Sequence, residues 1–174
     1  MPGFQPAFIY PFAVNGLLAF SQIFMVVYGY KFSDRFKVQY AFFTGTLLIL
    51  SLPLLAHFLG SASQSFWSCF VVLLAFGIVN GVVQAQVFGL AGILPGKYIG
   101  AVMFGNGLSG IGANLLRLIF VIALPSDTLY LQAQIHFILS GLTLFMSGYA
   151  YNILIKNEYF IHFKSISEKN VDKL

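Results

Sequence analysis

The sequence predicts an all-α integral membrane protein with five spanning helices. Three observations carry this reading. The 174 residues are 59% hydrophobic and only 8% charged, whereas soluble domains carry roughly 25% charged residues. With a mean hydropathy of +0.86, such a chain cannot cover a water-facing surface. Five apolar runs, at about 8–30, 38–59, 66–93, 98–124 and 129–155, each reach the roughly 20 residues a helix needs to cross a bilayer. Strands are excluded, because an open strand in lipid leaves backbone groups unpaired and the alternating pattern of a barrel is absent.

The first run, which includes IYPFAVNGLL (9–18), places Asn15 and Gln22 on one face at ~100° per residue. The second contains Pro53, which predicts a kink, and His57 near its end, at the interface. The third carries Gly77, Gly81, Ala85 and Gly89 at four-residue spacing. Such a stripe of small residues lets neighbouring membrane helices approach closely. Asn80 and Gln84 lie beside it on the same face. The fourth run holds Asn106, Gly110, Asn114 and Arg117 in one narrow sector, and the fifth holds Gln132, His136, Ser140, Thr143 and Ser147. Lipid-facing surfaces do not look like this, so the polar stripes are expected to face each other or a wet cavity. The glycine-rich third and fourth helices are expected to pack tightly. Residues 1–155 are thus read as a transmembrane bundle. Residues 156–174, polar and mixed in charge, are read as a cytoplasmic linker or the start of a loop, with Tyr159 to Phe163 at the membrane surface.

The connections set an orientation. KFSDRFK (31–37), PGK (95–97) and the tail are basic, while GSASQS (60–65) is uncharged and PSD (125–127) carries only Asp127. The positive-inside rule puts the three basic segments in the cytoplasm and the N-terminus outside. No basic n-region precedes the first run, so no ordinary signal peptide is expected.

Several function classes drop out. GNGLSG (105–110) has the G-x-G-x-x-G spelling of a dinucleotide fingerprint. It lies inside an apolar run, though, and neither a strand before it nor an acidic residue about 20 residues on supports that use. The net charge of +4 is not clustered on one face, which argues against nucleic acid. The single Cys69 excludes a disulfide scaffold. There is no Ser/His/Asp set, no carboxylate pair and no metal-ligand spacing, so neither an enzyme nor a cofactor is expected. Arg117 is the sharpest single residue. A charge inside a span costs at least ~2.5–3.5 kcal/mol and normally marks a translocation path or an ion pair. No acidic residue lies within any of the five runs.

VVQAQVFGLAGILPGKY (82–98) followed by GNGLSGIGANLLRLI (105–119) resembles the equilibrative nucleoside transporter family. IYPFAVNGLL is similar to that family's second helix, and LLRLI to an arginine motif of its plant and protist members. The resemblance implies a partial bundle of a major-facilitator-like transporter, with the five runs corresponding to helices two to six of eleven. It implies alternating access by facilitated diffusion of a nucleoside or nucleobase, in the plasma membrane or an internal one. By position, Gln84 matches the family's substrate-contacting glutamine. Leu18 and Asn15 would approach substrate from the first run, and Asn80, Asn114 and Arg117 are expected to line the path. The chain reads as a fragment or a truncated member. The lipid bilayer and substrate are then its first partners, and transport would need a second copy or a complementary half. A non-transporting membrane interaction protein or degenerate half-transporter, and a proton-coupled transporter of another solute with His136 involved, are the alternatives.

Overall fold

The structure, a computed structural model, describes residues 6–31, 34–59, 62–125 and 128–171. Within them the chain forms α1 (Pro6–Tyr28), a short 3-10 turn (Gly29–Lys31), α2 (Asp34–Phe58), α3 (Ala62–Ile93), α4 (Lys97–Ala123), α5 (Leu129–Leu154) and α6 (Glu158–Val171). No strand occurs among the described residues. The first five helices are long and apolar enough to cross a membrane. Asp127 and Lys173, the Phe32–Ser33 part of the charged connection and the Gly60–Ser61 part of the uncharged one lie outside the described residues.

The helix ends follow from local chemistry. Pro6 opens α1 at the first helical position, where a missing N–H costs nothing. α3 stops at Ile93 and α4 at Ala123, two residues before Pro95 and Pro125. Proline pushes the residue before it out of the helical region, and Leu124 is accordingly extended, with φ −110° and ψ 141°.

α3 is the central helix. It packs against α1 along one side and α2 along the other, and α2 in turn packs on α5. The paired residues give the directions. Tyr10 stacks on Phe66 and Phe70, Val14 meets Gly77, Leu18 meets Gly81, and Gln22 meets Gln84. Both numbers rise together, so α1 and α3 are parallel. Phe42 lies at Gly148, Leu50 at Gly141 and Pro53 at Tyr130, so α2 and α5 are antiparallel. Alternation of direction along the chain is what successive membrane crossings require. Aromatic residues gather at both ends: Tyr10, Phe66 and Trp67 at one, Tyr28, Tyr98 and Tyr159 at the other. From Tyr10 to Tyr28 is about 27 Å of helix at ~1.5 Å per residue, close to the ~30 Å hydrocarbon thickness, and tyrosine and tryptophan favour the headgroup level.

The tail departs from its expectation as a linker. Residues 158–171 form α6. Asn157 caps it, its side-chain oxygen accepting the Tyr159 N–H at 2.9 Å. Glu158 in the first turn and Lys169 in the last suit the helix dipole. Phe160 is only 4% exposed and joins Val38, Phe42, Leu90 and Tyr151 in the core cluster. α6 therefore ties the ends of α2, α3 and α5 together on one face of the bundle, here called the tail face. The sequence pattern hides this, because one buried phenylalanine in a polar stretch leaves little hydropathy signal.

The glycines also sort differently from expectation. A Cβ at Gly81 would meet the Leu18 carbonyl oxygen at 2.5 Å, and one at Gly77 the Val14 carbonyl oxygen at 2.8 Å. The stripe on α3 thus seats α1, not α4. Around Gly89 and around Gly105, Gly107 and Gly110 there is nothing within 4 Å of such an atom. α4 has no buried residue and touches α3 and α5 only lightly.

Two outcomes follow. Gly81→Leu should lower the yield of monodisperse protein sharply in detergent, with overpacking of about 1–3 kcal/mol or more, whereas Gly110→Leu should leave it unchanged; size-exclusion profiles read both. Phe160→Ala should destabilise the bundle by about 3–5 kcal/mol, seen as a lower melting temperature, whereas Ile161→Ala, at a position 52% exposed, should change it little.

Candidate functional site

Many of the short polar side chains inside the spans are satisfied by their own helix. Ser21, Thr46, Ser140, Thr143 and Ser147 donate to the carbonyl four residues back, at 2.7 to 2.8 Å. Asn114 does the same to Gly110 at 2.9 Å, and Asn152 to Gly148 at 3.1 Å. Such back-bonding lets a hydroxyl or amide sit in an apolar setting without a neighbour. The expected meeting of the α4 and α5 stripes is therefore only partly realised. Thr143 is exposed and Ser147 half-buried, each bonded within α5.

In two places, polar side chains of neighbouring helices meet or share a cavity. The first is the α1–α3 seam. There the Gln22 amide nitrogen donates to the Gln84 side-chain oxygen at 2.7 Å, between residues 62 apart in sequence. Leu18 lies one turn away against Gly81, and Asn80, half-buried, shares the α3 face of Gly77, Gly81 and Gln84. Each glutamine amide has one donor and one acceptor side, so the pair leaves Gln84 with free N–H groups and Gln22 with a free carbonyl oxygen in this bond. Asn15 is exposed on α1, off this seam.

The second place lies between α4 and α5. A cavity of about 380 Å³ is lined by Arg117, Phe120, Gln132, His136 and Phe137 among others. Here the polar sectors of the two helices do meet. Arg117 and Asn114 are both exposed, but only Arg117 reaches this cavity. The six expected site residues thus separate. Gln84, Leu18 and Asn80 come together at the seam, Arg117 goes to the cavity, and Asn15 and Asn114 join neither. Gln22 and Gln132 are the residues that sequence reasoning named only as members of stripes. What distinguishes them is a partner on another element or a shared cavity, which no spacing within one helix reveals.

A family model described as nucleoside transporter matches residues 68–173, which is more than half of the chain and runs from the first turns of α3 through α6. The chain belongs to the nucleoside transporter family. The matched part contains FGLAG (88–92), GNGLSG and LLRLI; IYPFAVNGLL lies before it. No curated protein and no solved structure gives a significant match. The family is one of transporters, so nucleoside transport in general is the activity to which this multi-pass membrane bundle is assigned.

The seam makes a prediction of its own. Gln22→Met or Gln84→Met alone should destabilise by about 0.6–1.7 kcal/mol, the range for interhelical hydrogen bonds in membranes, because each leaves an amide behind. The double substitution should recover much of that loss, and a double-mutant cycle on melting temperatures measures the coupling.

Proposed function

We propose that this chain moves nucleosides or nucleobases by facilitated diffusion, forming one bundle of an alternating-access transporter and acting with a second copy or a complementary half. The observation that carries the reading is the Gln22–Gln84 pair at 2.7 Å. Two amides facing each other across a glycine-spaced seam offer donors and acceptors together. Nucleosides present both around base and ribose, and an amide can answer either by turning over. Gln84 is the principal substrate contact in this reading. Leu18, Asn80, Asn15, Asn114 and Arg117 line the path. Alternating access rocks two bundles around a site at their interface, so one bundle supplies one wall.

The same reading orients the chain. Lys31, Lys97 and Lys156 all flank spans on the tail face, which supports a cytoplasmic tail face and an outer N-terminal end of α1. A second reading, a half-bundle that binds a full-length relative without transporting, draws on α4, which has no buried residue. Uptake separates the two.

Gln84→Ala should reach the membrane normally and lose about tenfold or more of labelled nucleoside uptake, in line with one missing bond to a buried polar group. Unchanged uptake would remove Gln84 from the site. Uptake by the unsubstituted chain should persist with a proton uncoupler. Collapse would instead favour proton coupling.

A further inference from the structure

The α4–α5 cavity is separate from the glutamine seam and has its own chemistry. Its volume of about 380 Å³ lies within the usual 300–1,000 Å³ of small-molecule sites, which are largely apolar with a few convergent polar groups. Phe120 and Phe137 supply flat apolar walls, and Arg117, Gln132 and His136 supply the polar groups. No aspartate or glutamate lies within any of the five spanning segments, so no carboxylate from these segments occupies the guanidinium.

We infer that this cavity is a base-binding subsite that selects 6-oxopurine nucleosides, with Arg117 as the selecting residue. The inference rests on the transporter reading and adds a substrate class to it. Arginine has only donors, held in a planar fork. A 6-oxopurine presents two adjacent acceptors, O6 and N7, to such a fork. Adenine sets an amino donor beside N7 instead, and pyrimidines have no N7. The second discriminating group is Gln132. Its amide nitrogen donates one of its two N–H groups to the Pro125 carbonyl oxygen at 3.4 Å, and its own carbonyl oxygen, beside the second N–H, stays open to a ligand. That oxygen accepts the N1–H that 6-oxopurines carry and adenine lacks. Phe120 and Phe137 stack on the base, a contact that every base can make, so they bind without selecting. His136, whose ring meets Phe137 edge-on at 6.1 Å, is left to meet ribose hydroxyls. The cavity lies toward the end of the bundle opposite the tail face, because Arg117 is six residues, about 9 Å, from the end of α4.

The test is equilibrium binding to the purified chain in phosphatidylcholine nanodiscs, with labelled inosine competed by guanosine, adenosine and uridine. Inosine and guanosine should bind about tenfold tighter than adenosine or uridine, the scale of one bidentate base contact. Arg117→Gln should abolish that preference while adenosine binding stays within about twofold. Arg117→Lys should lose most of it, since a point charge does not replace the fork. Equal binding of inosine and adenosine, or a preference that survives Arg117→Gln, overturns the subsite and leaves the transporter reading standing. Failure of every nucleoside to bind also overturns it, since all its walls come from this chain; the transporter reading is then judged by uptake alone. If Arg117 instead retains phosphatidylglycerol in mixed nanodiscs and inosine does not bind, a lipid phosphate is the occupant and the proposal is wrong.

Discussion

Inside the hydrocarbon there is no water to satisfy a polar atom, and the architecture answers to that lack at every level. Backbone groups are closed within helices. Short polar side chains fold back onto the preceding turn, as Ser21, Thr46, Ser140, Thr143 and Ser147 do. Longer amides and cations are harder to satisfy in this way, because their polar groups sit further from the helix. Gln22 and Gln84 use each other, and Gln132 reaches the carbonyl of Pro125. The arginine fork remains, beside a cavity. What looks like abundant polarity in the sequence reduces to a short set of groups with chemistry to offer a ligand.

That set depends on backbone spacing. Gln22 meets Gln84 directly because α1 and α3 run in contact, and they run in contact because Gly77 and Gly81 present no side chain to the carbonyls of Val14 and Leu18. Without a hydrophobic driving force between helices in lipid, close packing of this kind carries much of the association. The far end of the assembly is held differently. Phe160 enters an apolar cluster formed by Val38, Leu90 and Tyr151, and there a polar helix end can be secured by ordinary core burial.

The five spans were legible from hydropathy alone, to within a few residues except at the starts of α2 and α3, because bilayer thickness imposes their length and proline marks two of their ends. The family was legible from FGLAG and GNGLSG with their spacing. Three things were not. Glycine spacing shows that a helix can be approached, but not which neighbour approaches: GNGLSG has nothing against it, while Gly77 and Gly81 are occupied by α1. Periodicity likewise places Asn114 and Arg117 on one face of α4 without separating an amide that closes on Gly110 from a guanidinium with no carboxylate in the spans. α6 was missed because one capping asparagine and one buried phenylalanine decide it, and neither changes the average polarity of the tail.

The two polar places differ in depth as well as in chemistry. Gln84 is nine residues, about 14 Å, from the tail-face end of α3, and Arg117 is six residues, about 9 Å, from the opposite end of α4. They stand roughly 15–20 Å apart along the bundle, too far for one nucleoside to touch both. In the proposed path they would act in sequence: a donor-only fork that screens the base nearer one surface, then an ambivalent amide deeper in that accepts whatever passed. Screening by the arginine suits selection, because a mismatched donor is repelled there. The glutamine suits transit, because an amide that can turn over holds no single base too firmly to release. The α4–α5 cavity is lined by this chain's own residues, whereas the half-buried glutamines between α1 and α3 would supply one wall of a path that a facing bundle completes and moves against.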